Sequence, residues 1–237
     1  MKRTAAKSGA PYGVVGRGNA AKNLLEYFRL LKVPCLSWHR STGRRPESVL
    51  SACRTVFILI PDSEIAGFIA ANPWLQGRRL VHFSGAFSCR GAAGLHPLAP
   101  LTRRLRDLDG YRRIVFAAEA GGPSLRDVAP ELLNRCVKLR PADKPLYHAL
   151  CAAGGNLPVL LWQRAYRGLR ALGLPGPAVL DYFQASLDNF KASPEAGLSG
   201  PIARGDARTV RSDLRALRGS RLRAVYAGLR KMHEGEK

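Results

Sequence analysis

The chain has 237 residues, 46% apolar, 8% aromatic and 23% charged, with 38 Lys and Arg against 17 Asp and Glu for a formal net charge of +21. That composition excludes a disordered or fibrous chain, and no apolar run approaches the ~18 residues of a membrane-spanning helix. Five cysteines without CxxC spacing exclude a disulfide framework, and no apolar core follows Lys2 and Arg3 as a secretory signal requires, so a cytoplasmic protein is expected.

Residues 1–10 read as a flexible polar lead. A short apolar strand from Tyr12 then runs into Gly16-Arg17-Gly18-Asn19-Ala20-Ala21, and Leu24, Leu25, Phe28 and Leu31 recur at helical spacing up to Pro34. A second strand is expected over 33–38, a basic loop over 39–46 and a short helix over 47–53. Residues 55–60, Thr-Val-Phe-Ile-Leu-Ile, are a continuous run rich in β-branched side chains, as in a parallel strand covered on both faces. The run stops at Pro61-Asp62, ahead of a helix over 63–71. A strand over 79–83 ends in Ser84-Gly85, and 84–110 reads as a long irregular stretch holding Leu95-His96-Pro97-Leu98. A strand over 113–117, a helix over 124–135 and a strand over 136–139 complete an alternating pattern. That pattern predicts an α/β fold, a Rossmann-type doubly wound parallel sheet.

Strand signals stop near Arg140. Helices are expected over 144–155, 158–172, 176–192, 207–218 and 220–232, with Asp206 and Ser220 as N-caps. The domain organisation is therefore a lead at 1–10, a dinucleotide-binding domain at 11–140 and a smaller all-helical domain at 141–237. Within the latter, Gly154-Gly155-Asn156-Leu157-Pro158 predicts a helix break. Such a break either frees the Asn156 amide to face a ligand or is a plain helix–helix turn.

Gly16-x-Gly18-x-x-Ala21, after a strand and before a helix, is the dinucleotide fingerprint in its proper context. Gly16 serves the tight turn, Gly18 lets the backbone approach a pyrophosphate, and Ala21 takes the place of the third Gly. Backbone N–H groups over Gly18, Asn19, Ala20 and Ala21, with Arg17 beside them, would hold the phosphates. At the end of the second strand an NAD site wants Asp or Glu. This chain instead offers Arg40 and Ser41, with Arg44 and Arg45 behind, which favours the 2′-phosphate of NADP; NAD is the lesser candidate. Pro61, Asp62 and Ser84 fall at strand carboxyl ends, where they would line the trough for ribose and nicotinamide. Asp62 serves equally well as a helix N-cap. His96 and His148 are the candidate proton donors or acceptors when a carbonyl or imine is reduced; otherwise His96 pins its loop. His82, inside a strand, reads as a core residue. There is no metal-ligand cluster.

Taken in order, these motifs together with Tyr147-His148-Ala149, Asn189, Leu198-Ser199-Gly200-Pro201 and Arg204-Gly205-Asp206 resemble one family. It is a Rossmann-like NADP-dependent oxidoreductase family with a C-terminal helical domain of unknown function, distantly related to pyrroline-carboxylate reductase, ketopantoate reductase and 6-phosphogluconate dehydrogenase. The resemblance spans roughly 12–232. It implies that the helical part serves substrate binding and makes a homodimer, and that His96, His148 and Asn156 act as catalytic residues while Arg204 and Asp206 bind substrate. Ala21 in place of Gly and Ser199 in place of Thr depart from the family pattern.

The expected function is thus NADP-dependent reduction of a small carbonyl or imine, one carrying a carboxylate that an arginine holds. A catalytically inactive nucleotide-binding regulator or scaffold is the alternative. A basic nucleic-acid-associated protein is the second: cations are densest over 40–45, 103–113 and 204–231, yet nowhere interleave with aromatics as a single-strand-binding surface does.

Overall fold

The computed structural model describes residues 9–235; most of the expected flexible lead therefore lies outside the described residues. The chain divides into two compact units, one reaching through Ala152 and the other beginning at Ala153.

The first unit is built on a seven-stranded sheet in the order β2-β1-β3-β4-β5-β6-β7. Its strands are β1 (Tyr12–Val15), β2 (Cys35–Trp38), β3 (Thr55–Ile58), β4 (Arg79–His82), β5 (Ala92–Pro97), β6 (Phe116–Glu119) and β7 (Cys136–Leu139). All neighbours pair in parallel except β5 with β6. Helices α1 (Asn19–Leu30), α2 (Pro46–Leu50), α3 (Asp62–Ala70), α4 (Leu108–Arg112), α5 (Leu125–Val128) and α6 (Lys144–Cys151) complete the unit. Because side chains alternate along a strand, the central strands feed two separate cores. Val14, Phe57 and Val81 join Leu24 and Phe28 of α1 on one face, whereas Val15, Val56, Ile58 and Leu80 join Leu50 and Ile65 on the other. Double coverage is why β1 and β3 are buried at every position, the polar Thr55 included. On the first face Tyr12 stacks on Phe28 with ring centres 4.8 Å apart. The buried Asn23 amide donates to Asn19 O and Thr102 O and accepts from the Tyr111 hydroxyl, tying the 99–106 segment to α1.

Two expectations for this unit are corrected. The stretch 84–110 is not irregular throughout, because it contains β5 and α4. β5 begins Ala92-Ala93-Gly94, with neither β-branching nor alternation to announce it. Its small residues are demanded by neighbours: a Cβ on Gly94 would lie 2.7 Å from Glu119 Oε1 and 2.9 Å from Lys144 Nζ. The helix expected over 124–135 is only one turn long. Pro130 forces Ala129 out of the helical region, to φ −149° and ψ 76°.

The second unit is helical: α7 (Leu157–Ala171), α8 (Gly176–Ala192), α9 (Ala207–Ala216) and α10 (Leu222–Gly235). Trp162 of α7 stacks on Phe183 of α8 at 6.1 Å. The break expected at 154–158 does not occur. Residues Ala152–Asn156 form a π-helical turn, and Pro158 sits in the opening turn of α7, where a missing N–H is tolerated. Among the described residues no helix is long and apolar enough to cross a membrane.

Candidate functional site

The turn from β1 to α1 is shaped by two glycines with different duties. Gly16 has φ +122°, and a Cβ there would lie 2.3 Å from Leu59 O, so only glycine fits. Gly18 precedes α1 in extended conformation and a Cβ there would meet nothing within 4 Å, so the space over it is open. The helix begins its hydrogen bonding at Lys22 N to Gly18 O. The N–H groups of Asn19, Ala20 and Ala21 therefore lack helical partners, and neither a capping side chain nor an acidic first turn competes for them. Ala21 is fully buried against the first core, while Arg17, Gly18 and Asn19 are exposed.

The pairing Val15↔Trp38 brings the end of β2 alongside this turn. Arg40 and Ser41 sit in a short 3-10 turn, Arg40–Thr42, braced by Thr42 Oγ1 donating to His39 O at 2.8 Å and Trp38 Nε1 donating to Arg44 O at 2.7 Å. Both are exposed, and the Arg40 guanidinium has no carboxylate partner among the described residues.

At the carboxyl ends of β3 and β4 the Ser84 hydroxyl donates to Asp62 Oδ2 and accepts from Phe87 N at 2.9 Å. Asp62 is thus held by Ser84 and caps nothing; α3 follows Pro61 without a side-chain cap. Asp62 and Ser84 join Ala20, Ile60 and Phe83 around a cavity of about 150 Å³.

The next strand carries the histidine. His96 lies near the end of β5, not on a free loop, and its Nδ1 is 2.8 Å from the Tyr147 hydroxyl of α6. The rings of His96 and His148 are 6.5 Å apart, and both edge up to Gly85, where a Cβ would be 3.0 Å from each. Burial, then the charges of His148 and Lys144, push the His96 pKa down to about 4, so its imidazole is neutral at pH 7. Burial and the Cys151 thiol push the Tyr147 hydroxyl well above its ordinary range. A buried ion pair anchors this arrangement: Lys144 Nζ meets Glu119 Oε1 at 2.5 Å, and also donates to Phe87 O. Ser88 Oγ donates to the same Glu119 oxygen at 2.9 Å. Burial raises the Glu119 carboxyl, but these hydrogen bonds outweigh it and hold it below the usual range. His82 is buried in the core beside the pair; its Nδ1 accepts from Ser84 N and its Nε2 has no partner among the described residues.

Gly16 to Ala21, Arg40, Ser41, Pro61, Asp62, Ser84, His96 and His148 all belong to the first unit, on the carboxyl side of its strands. Asn156 closes the π turn and is exposed, Arg204 is exposed in a turn, and Asp206 caps α9, accepting from Thr209 N at 3.0 Å; these three belong to the second unit. Sequence reasoning did not assign a role to Tyr147, although the Tyr-His pairing marked it. It gave no sign of the Lys144–Glu119 pair, because residues 25 apart in sequence meet only through the β5–β6–α6 arrangement.

The family description "Domain of unknown function (DUF2520)" matches residues 114–232, half of the chain. The chain belongs to that family. No curated protein matches it. Among solved structures, a Bacteroides fragilis protein assigned as an NADP oxidoreductase superposes with a TM-score of 0.76 at 18% identity, over 96% of this chain and 99% of the other. The Thermotoga maritima protein TM1727 gives 0.68 at 25% identity, over 94% and 97%. Pyrroline carboxylate reductase of Plasmodium falciparum, solved with NADP bound, gives 0.61 at 12% identity, over 95% and 96%. Likeness at these low identities extends the Rossmann-plus-helical architecture across this DUF2520 chain.

Proposed function

We propose that the protein is an NADP-dependent reductase of a small carbonyl or imine compound, one that carries a carboxylate. The observation that carries this reading is the β1–α1 turn: three amides without a partner among the described residues under an open Gly18, with arginine rather than an acid at the end of β2. The B. fragilis and P. falciparum relatives, by the oxidoreductase and NADP named for them, support it.

In this reading the amides of Asn19, Ala20 and Ala21 hold the pyrophosphate. Arg40 and Ser41 hold the 2′-phosphate by charge-assisted hydrogen bonds. The cavity between Asp62 and Ser84 takes the ribose end nearest the chemistry. The bound cofactor supplies hydride. His96, kept neutral, is fixed by Tyr147 and offers its remaining ring nitrogen to the substrate oxygen or nitrogen. His148, with its exposed imidazole, delivers the proton. Arg204 is the candidate for the substrate carboxylate. The second unit pairs with a second copy of the chain, through exposed apolar residues on α7 and α8 such as Leu160, Leu180 and Tyr182; sedimentation of the full chain tests this, a dimer being expected.

Fluorescence titration with NADPH and NADH tests the central reading. NADPH should bind more tightly, and absence of binding by either at millimolar concentration would overturn the assignment. Binding without turnover of any imine or keto acid would point to the nucleotide-binding regulator instead.

A further inference from the structure

We propose a second anion site at the amino edge of the sheet, where Arg54, Arg78 and Arg79 take the phosphate of a small phosphorylated molecule. Arg54 immediately precedes β3 and Arg79 opens β4; Arg79 N donates to Arg54 O at 2.9 Å, so the two side chains start from adjacent backbone. The strands are parallel and four residues long, which puts this edge ~13 Å from the Asp62–Ser84 end at ~3.3 Å per residue. It is a different place from the nucleotide cradle.

Arg54, Arg78 and Arg79 line a cavity of about 460 Å³ whose other walls are Gln76 and Gly77, with no carboxylate among them. Arg78 is preorganised. Its Nε donates to Trp74 O at 2.9 Å, its Nη1 to Cys53 O, and its guanidinium lies over the Trp74 ring at 5.2 Å. Its Nη2 has no acceptor among the described residues. Arg79 spends one donor on Asp127 O at 3.2 Å, and the Arg54 guanidinium has no partner among the described residues. A fixed fork with a free N–H₂, flanked by two adaptable ones, is the donor set that a phosphate rewards.

An adjoining cavity of about 510 Å³ shares Arg78 and Arg79 and is floored by Leu80, Ala92 and Val128, room for the organic body of such a ligand. Glu119 and Asp127 also face it, but both are already engaged. Glu119 is paired with Lys144, and Asp127 accepts from Ser124 N at 2.6 Å and Ser124 Oγ at 2.7 Å. Arg54 and Arg78 therefore keep their charge for a ligand, while the charge of Arg79 is shared with the Asp127 carboxylate.

Calorimetric titration of inorganic phosphate into the full chain, at constant ionic strength, tests the site. Three proteins are compared: the parent, Arg54→Gln/Arg79→Gln, and a charge-matched Arg103→Gln/Arg104→Gln. Phosphate should bind about tenfold or more weakly to the first variant and with parental affinity to the second. NADPH affinity, read by fluorescence, should be unchanged in both; NADPH failing to bind the parent would count against the reductase reading and leave this site standing. Equal weakening in the two variants would mean diffuse attraction by the net charge, and parental binding by Arg54→Gln/Arg79→Gln would move the phosphate to the α1 turn. Either result, or no phosphate binding by the parent, overturns the proposal. Should the double variant unfold by circular dichroism, Arg54→Gln alone, which removes no internal hydrogen bond, gives the same discrimination. Random-sequence DNA binding that falls equally in both variants would assign the charge to a polymer instead.

Discussion

The two units bury their apolar side chains very differently. In the sheet unit whole strands disappear: Val14, Val15, Val56, Phe57, Ile58 and Val81 have no exposed surface. In the helical unit only Val179 and Val210 are buried among the described apolar residues, while Leu160, Leu172, Leu180, Tyr182 and Phe190 are each more than half exposed. A sheet with a helical layer on each face closes its own core, whereas helices that each cover a single side leave a face for something else to cover. Stability should therefore reside in the first unit, and association in the second.

The largest expected effect tests this contrast directly. Phe57→Ala empties a fully buried site among the rings of Tyr12, Phe28 and Phe83 and should cost ~3–5 kcal/mol in urea unfolding. Phe190→Ala, at a position 56% exposed, should change the stability of an isolated chain by ~0.5 kcal/mol or less and instead shift the sedimentation profile toward monomer. Comparable losses of stability would remove the distinction.

Next in size is Gly16→Ala. With φ +122° and a methyl 2.3 Å from Leu59 O, the β1–α1 turn must move, and NADPH binding should be lost while the helical unit keeps its circular dichroism. Arg40→Ala is more selective. NADPH affinity should fall about tenfold, the worth of one charge-assisted contact, with NADH unchanged; equal loss for both cofactors would refute the 2′-phosphate role.

A pH dependence confined to the first unit is the remaining test. His96 is protonated in the folded state only near pH 4, against about 6.5 when unfolded. Between those values the unfolded chain binds the extra proton. Stability should be complete above about 6.5, fall as the pH drops toward about 4, and level off below. His96→Gln should flatten that slope in denaturation curves measured across the window, and an unchanged slope would show that other groups carry it.

Which parts were legible in the sequence follows from how local their causes are. The fingerprint turn, the continuous run at β3 and the span of α8 are written in neighbouring residues, and α8 runs over Gly176–Ala192, the span expected for it. β5 is not, because Ala92-Ala93-Gly94 becomes a strand only through β4 and β6 on either side. The π turn likewise hides behind Gly154, Gly155 and Pro158, which locally argue for a break. In the site, residues grouped along one turn were found, whereas the His96–Tyr147 contact, 51 residues apart, depends on where α6 lands.

Gly94 lies within β5, and the space above it is filled by the Lys144–Glu119 pair and the edge of His82. Any larger residue would push that pair aside, and with it the helix that carries Tyr147 and His148. In a survey of all single substitutions, Gly94 should be restricted by the side chains packed over it, though less severely than Gly16, whose Cβ would meet backbone.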